Sequence, residues 1–256
     1  MDGTLHDVSI GAGSMAALLA AGAVAGFFNV TAGGGSMLTL PVLVLAGLPP
    51  TVANGTNRLA LIVQNLVAVP TFRRGGVRGL RTAVPLALCG LPGALVGAYL
   101  GATMSDVLFR KLLGVTILVM TAVIVLRPPS ARGDEIPDGS TRLATKIAFF
   151  GLGFYAGFIQ AGIGFLIVIA LSAFERFPLV KIHALKIAFV LVMQVGALVV
   201  FAAHGKVALV PGAILAAGLA IGGYAGALVT LRGDERLLRA ILVAASLALA
   251  IRMFFP

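Results

Sequence analysis

The sequence predicts an all-α polytopic membrane protein made of two inverted structural repeats, each with a broken, re-entrant helix hairpin and three spanning helices. Three observations lead to this prediction. The composition is 59% hydrophobic and only 11% charged, whereas a soluble domain carries about 25% charged residues. Uncharged stretches at 82–105, 147–174 and 207–231 are each long enough for a helix that crosses a bilayer. Glycines and amides also recur at a nearly constant spacing, which indicates a duplication.

Glycine, proline and charged residues divide the apolar sequence into two series of predicted helices. The first repeat, 1–127, contains helices at 9–31, 36–47, 51–72, 80–102 and 106–127. A polar linker follows at 128–141. The second repeat, 142–256, contains helices at 143–162, 164–175, 178–203, 207–230 and 234–254. The second helix of each series is too short to cross about 30 Å of hydrocarbon comfortably.

The two series match each other at offsets of 129 to 131 residues. The segment Ala25–Asn29 parallels Ala156–Gln160, and a glycine-rich break follows each. The other matched residues are Gly22 with Gly153, Gly26 with Gly157, Gly93 with Gly222, Gly97 with Gly226, and Gln64 with Gln194. Each half holds five segments, or three full crossings if the short helix turns back. Both counts are odd, so consecutive halves should insert with opposite orientations, as in many secondary transporters.

Loop charges orient the predicted helices. The loops 73–81, 127–146, 175–183 and 232–239 hold thirteen of the nineteen Lys and Arg residues. Because positive loops favour the cytoplasmic side, we expect an inner-membrane protein with a cytoplasmic linker and both termini on the opposite side. The net charge of +10 is explained by these loops, so no nucleic-acid partner is expected.

The first candidate site is the break from Asn29 to Ser36. Three consecutive glycines would each cost about 1 kcal/mol in a helix, and unwound backbone at membrane depth survives only where protein or a water-filled cavity covers it. Its N–H groups, together with the N-terminus of the next helix, would favour an anion. The second half offers a less polar counterpart at Gln160–Gly164.

The second candidate consists of two cations at matched positions, Arg58 and Lys186, each about 10 Å inside its predicted helix. Intramembrane cations usually face a cavity and need a counter-charge, but no acidic residue lies in a predicted helix core. A bound anion is one partner, and snorkelling to the interface is the alternative. Gln64 and Gln194, about two turns deeper, either line a pathway or bond between helices. The candidate substrate-binding residues are Asn29, Thr31, Gly33, Gly34, Gly35, Ser36, Asn54, Thr56, Asn57, Arg58, Gln64, Gln160, Gly162, Gly164, Lys186 and Gln194.

The order of these features resembles a known family. The glycine-rich break is followed by Leu40-Pro41, Leu48-Pro49-Pro50, Ala53 and Thr56-Asn57, a pattern similar to the TauE/SafE sulfite exporters, also called 4-toluene sulfonate uptake permeases (TSUP). The resemblance covers roughly residues 15–255. The chain departs from the family pattern at Asn57-Arg58 and Leu185-Lys186. The resemblance implies transport of sulfite or an organosulfonate such as sulfoacetate, driven by an ion gradient.

Together these features lead us to expect a secondary transporter for a small anion, working by alternating access between the two repeats. An anion-selective channel is the alternative, followed by an intramembrane enzyme. No catalytic role, cofactor or metal is expected, because the sequence contains no His-Glu-x-x-His pair and no Gly-x-Ser-x-Gly elbow. The expected partners are the lipid bilayer, the anion and a coupling H⁺ or Na⁺. The sequence leaves open the substrate, the direction of transport, and whether the protein is a monomer or a homodimer.

Overall fold

A computed structural model describes residues 12–78, 80–126, 142–175 and 177–232. Most of these residues are helical, with no strands among them, which confirms the all-α prediction. The helices are α1 (Ala12–Thr31), α2 (Ser36–Leu45), α3 (Pro50–Arg74), a 3₁₀ turn (Leu80–Thr82) that leads into α4 (Ala83–Thr103), α5 (Asp106–Leu126), α6 (Leu143–Phe158), α7 (Ile163–Phe174), α8 (Leu179–Ala203) and α9 (Leu209–Arg232). The predicted linker and the predicted helix at 234–254 lie outside the described residues.

Four helical segments in the described ranges are long and apolar enough to cross a membrane: Leu80–Thr103, α5, α8 and α9. Helix α3 has the same length as α8, 25 residues, but it carries many polar side chains. Those of Asn54, Asn57, Arg58 and Gln64 are fully buried. The polarity of α3 therefore comes from groups that face protein, so the helix belongs to the interior of the bundle.

Both predicted helix breaks are present. The first separates α1 from α2 and contains Gly33, whose φ is +91°, a conformation that costs glycine little. The second separates α6 from α7 and contains Gln160 and Gly162, with φ of +57° and +73°. The prediction that the sixth helix continues to residue 162 is wrong, because these left-handed residues end α6 at Phe158. Helices α2 and α7 are about 15 and 18 Å long, shorter than the hydrocarbon thickness.

Small residues set the helix pairing. Helix α1 packs on α9, where a Cβ at Gly26 would lie 2.8 Å from the Leu219 Cα. Gly22 faces Gly218, and Gly226 faces Phe27, so residue numbers increase together and the two helices run parallel. Their repeat counterparts, α6 and α4, also pack against each other. Glycines let helix backbones approach this closely, which accounts for their matched recurrence.

The pair α4 and α6 is parallel as well, because Gly93 faces Phe154 and Gly101 faces Phe158. The same reasoning makes α9 parallel to α3, and α8 parallel to α4. Gly55, near the start of α3, lies against Lys206, just beyond the end of α8, so α3 and α8 run in opposite directions. Helices α1, α3 and α9 therefore point one way, and α6, α8 and α4 point the other way.

These directions bring the basic helix ends to one face. The end of α3 lies beside the end of α9, where Gly75 contacts Leu231, and α4, α6 and α8 begin at the same face. The described Lys and Arg residues there are Arg73, Arg74, Arg78, Arg81, Arg142, Lys146, Lys181 and Arg232. The opposite face carries Arg110 and Lys111 at the start of α5, and Lys206. The charge asymmetry predicted for the loops therefore holds for the described helix ends.

Candidate functional site

The two helix breaks meet in the centre of the bundle. Gly33 packs directly on Gly164, where an added Cβ would lie 2.9 Å from the Gly164 Cα. Ser36 connects the breaks further: its Oγ donates to the Gln160 carbonyl at 3.1 Å and accepts from the Gly162 N–H at 3.1 Å. The tips of the α1–α2 and α6–α7 hairpins thus touch each other across the two halves of the chain.

Lys186 caps the end of α1. Its Nζ donates to the carbonyls of Asn29 at 3.1 Å and Val30 at 2.9 Å. The last carbonyls of a helix have no partner inside the helix, and they form the negative end of its dipole. A buried ammonium from α8 therefore meets a buried acceptor site that the broken helix creates.

Arg58 caps the end of α6 in the same way. Its guanidinium donates to the carbonyls of Ala156, at 2.8 Å, and Gly157. Neighbouring Asn54 donates through Nδ2 to the Phe158 carbonyl at 2.7 Å. Each half of the chain thus supplies the cation that caps the broken helix of the other half.

These carbonyls give both cations a partner that sequence alone did not reveal. Arg58 is 0% exposed and Lys186 is 1% exposed, and both are bonded to interior backbone. Protein therefore encloses both side chains. The proposed anion partner is therefore not needed to explain why the charges are buried, and any role in binding an anion would add to a structural role.

A small pocket lies beside the hairpin tips. It is about large enough for one water molecule. Its lining residues are Asn29, Ser36, Leu61, Asn65, Ile163, Gly164, Lys186, Ile187, Val190 and Gln194. Both hairpins contribute to this lining, as do α3 and α8, so the pocket spans the two halves of the chain. No carboxylate is present among the lining residues that the structure describes.

Hydrogen bonds fix the orientation of one pocket amide. Asn29 Nδ2 donates to Gln64 Oε1 at 3.2 Å, and Gln64 Nε2 donates to Asn65 Oδ1 at 3.4 Å. Asn65 Nδ2 is buried and has no acceptor among the described residues. The relay therefore leaves the Asn65 amide, with an N–H donor that no described acceptor occupies, in the pocket lining.

A second amide is fixed from the opposite side. Arg58 donates to Gln194 Oε1 at 3.0 Å, which leaves Gln194 Nε2 buried without an acceptor in the described part of the chain. The pocket thus combines one ammonium with two amide groups that have hydrogen atoms to donate. Buried polar groups normally have partners, so this surplus of donors fits a ligand that supplies acceptors.

The structure brings only part of the predicted set to this pocket. Asn29, Ser36, Gly164, Lys186 and Gln194 line it, and Gln64 lies directly behind Asn29. The hairpin tips contain Gly33, Gly34, Gly35 and Gly162.

The remaining predicted residues serve local bonds or lie elsewhere. Thr31 donates to the Phe27 carbonyl at 2.9 Å, and Thr56 accepts from the Ala208 N–H at 2.9 Å. Asn54 and Arg58 hold the end of α6. Asn57 and Gln160 are fully buried, and their amide atoms have no hydrogen-bond partner within the described ranges.

Asn65 is a pocket residue that is not among the predicted site residues. The sequence feature that could have identified it is its position directly after Gln64, since two adjacent amide residues are unusual in an apolar helix. Tyr155 is also not in the predicted set. Its hydroxyl donates to the Ala161 carbonyl and so ties α6 to the second hairpin tip.

Comparisons with known proteins agree with this architecture. The model of the sulfite exporter TauE/SafE family matches residues 18–253. A Sinorhizobium protein named Probable membrane transporter protein ORF9 is 28% identical over 93% of this chain and 92% of its own length. A Haemophilus influenzae protein named Probable membrane transporter protein is 28% identical over 97% of each chain.

The Escherichia coli K12 protein named Probable membrane transporter protein YfcA is 28% identical over 91% of this chain and 86% of its own length. No solved structure gives a significant match. The family match covers nearly the whole described bundle, including both hairpins and the pocket between them. The chain therefore belongs to the TauE/SafE sulfite exporter family, and it is a multi-pass membrane transporter.

Proposed function

We propose that the protein is a secondary transporter for a small anion, either sulfite or an organosulfonate such as sulfoacetate. The observation that carries this proposal is the pocket between the hairpin tips. Its lining offers the Lys186 ammonium and the amide donors of Asn65 and Gln194, which have no acceptor within the described part of the chain. A sulfite or sulfonate group carries a negative charge and three acceptor oxygens. Its chemistry complements a donor-rich lining, and the family name supports the same substrate class.

The transport cycle we propose is alternating access between two inverted repeats, 1–127 and 142–256, joined by the linker 128–141. Each of three helices in the first half runs opposite to the helix at the matching position of the second half, α1 to α6, α3 to α8 and α4 to α9, and these reversals support the inversion. A pocket of about one water volume is too small for a sulfonate. The hairpins must therefore move apart, toward one membrane face at a time, for the anion to enter and leave.

We further propose an inner-membrane location with the basic face in the cytoplasm, as positive charge predicts.

A matched pair of exposed turn glycines tests the orientation. Gly76 lies on the basic face and Gly205 on the other, both with positive φ and open space at the Cβ position. In a Cys89→Ser background, we expect Gly205→Cys to react with an impermeant thiol reagent in intact cells and Gly76→Cys to stay shielded. The reverse labelling would overturn the orientation.

A binding panel tests the pocket. We expect sulfite or sulfoacetate to raise the melting temperature of the purified protein in detergent, and chloride at equal ionic strength to have little effect. Asn65→Leu removes one neutral donor, which is worth about 0.5–1.5 kcal/mol, so the dissociation constant should rise about three- to tenfold.

Asn57→Leu is the control for the pocket test, because it makes the same change on the same helix at a buried amide. Asn57 belongs to the predicted site residues, but it lies outside the pocket lining. The substitution should leave the affinity unchanged. Equal losses of affinity in the Asn65 and Asn57 variants would count against the pocket, as would full affinity in Asn65→Leu.

A further inference from the structure

Lys186 touches a second basic group. Its Nζ lies 3.0 Å from His183 Nδ1, one turn earlier on α8, and both residues are 1% exposed. The Lys186 ammonium thus has three acceptors for its three N–H bonds: His183 Nδ1 and the carbonyls of Asn29 and Val30. An ammonium in this position requires His183 Nδ1 to accept, so the imidazole is neutral and carries its proton on Nε2.

Protonation of His183 Nδ1 would break its contact with the Lys186 ammonium. A doubly protonated His183 would turn an N–H toward the ammonium, and two positive charges would stand 3.0 Å apart in a buried site. The contact would break, and one Lys186 N–H would lose its acceptor. Because Lys186 also lines the pocket, that donor and the added positive charge would become available to an anion there.

Titratable and charged groups on the neighbouring described elements surround this pair. Helix α8 packs on α1, α3, α4, α6, α7, α9 and the 3₁₀ turn. We consider the described residues of these elements, of α8 itself, and Glu175 just after α7. Their titratable or charged side chains, besides His183 and Lys186, are Arg58, Arg73, Arg74, Arg81, Cys89, Tyr99, Lys146, Tyr155, Glu175, Lys181, Tyr224 and Arg232. Glu175 accepts from the Arg142 N–H at 3.0 Å and from the Thr145 hydroxyl at 2.7 Å. Arg58 reaches the pocket through Gln194.

We infer that His183 and Lys186 form the coupling site of the transporter: the pair takes up one proton when the anion binds, and proton and anion cross together. The inference rests on the proposed anion transport. The proton goes to His183 Nδ1, and the released Lys186 donor turns to the anion. His183 is about 6 Å from the start of α8, which places the proton site nearer the basic face.

Sulfoacetate is a suitable probe because both of its acid groups are ionised near pH 7, so any proton that moves with it is held by the protein. Proteoliposomes with an internal pH dye report the two movements together. For wild type we expect inward sulfoacetate flux to acidify the lumen, and an inward proton gradient to drive accumulation of labelled sulfoacetate. His183→Asn keeps an acceptor for Lys186 but does not titrate. Because the Lys186 donor is then not released, the variant should bind sulfoacetate more weakly, but at saturating sulfoacetate it should retain exchange while losing acidification and gradient-driven accumulation.

His204→Asn is the matched control, since His204 is exposed and lies just beyond the opposite end of α8. It should retain exchange and proton coupling. Coupled proton movement in His183→Asn would overturn the inference, as would net sulfoacetate uptake by wild type without acidification. If His183→Asn and His183→Gln both fold but exchange nothing, His183 serves binding, and the coupling role is also wrong. An absence of wild-type exchange would instead overturn the anion transport on which the inference rests.

Discussion

Replacing Arg58 with methionine should destabilise the protein by about 3 kcal/mol or more. The change removes the donors for the Ala156 and Gly157 carbonyls and for Gln194. Each buried acceptor left without a donor costs about 1–3 kcal/mol. The measurement is the melting temperature of the purified variant, together with the amount that accumulates in the membrane.

Lys111→Met provides the control for Arg58→Met, because Lys111 is exposed in the second turn of α5. It should leave the melting temperature within a degree or two of wild type. Arg58→Lys should lie between, because an ammonium keeps the charge but loses the planar fork that reaches several acceptors. An Arg58→Met variant as stable as wild type would show that the carbonyls at the end of α6 do not depend on this side chain.

The second large effect concerns binding. Lys186→Gln removes the one ammonium in the pocket lining that the structure describes. A hydrogen bond to a charged group contributes about 1.5–3 kcal/mol, so the dissociation constant for sulfite or sulfoacetate should rise about ten- to a hundredfold. Ligand-induced thermal stabilisation across a concentration series measures this change.

Lys181→Gln is the matched control for Lys186→Gln, because it makes the same substitution on the same helix at a residue outside the pocket lining. It should bind like wild type. If Lys186→Gln keeps the full thermal shift at the same ligand concentrations, the ammonium has only its structural role at the end of α1, and the proposed anion site is wrong.

The sequence predicted the helices well because their signals are local. Three glycines after Thr31 end α1, and charged or proline-rich segments delimit most other helices. The exception is α6, which ends at Phe158 although the next glycine is Gly162. Gln160 adopts a left-handed φ there, and a glutamine gives no local warning of that conformation. Its carbonyl accepts from Ser36, a contact that only the folded chain creates.

The site could be predicted in part. Buried cations at matched depths were visible in the sequence, and so were five of the ten pocket-lining residues. The partners of the cations were not, because Lys186 bonds backbone atoms more than 150 residues away. The role of Asn65 also depends on tertiary structure, since Gln64 and Asn29 fix which of its atoms can meet a ligand. Residue type can suggest a polar pathway, but only the packing assigns donors and acceptors.

Counterflow in proteoliposomes tests the proposed transport most directly. Vesicles preloaded with unlabelled sulfoacetate or sulfite are diluted into a trace of the labelled anion, with no ion gradient applied. An alternating-access transporter exchanges one anion for another, so label should accumulate transiently above its equilibrium level, with a rate that saturates. Label that only equilibrates, without overshoot or saturation, would indicate a channel. An absence of flux for both anions, or conversion of the anion into another compound, would contradict the proposed transport.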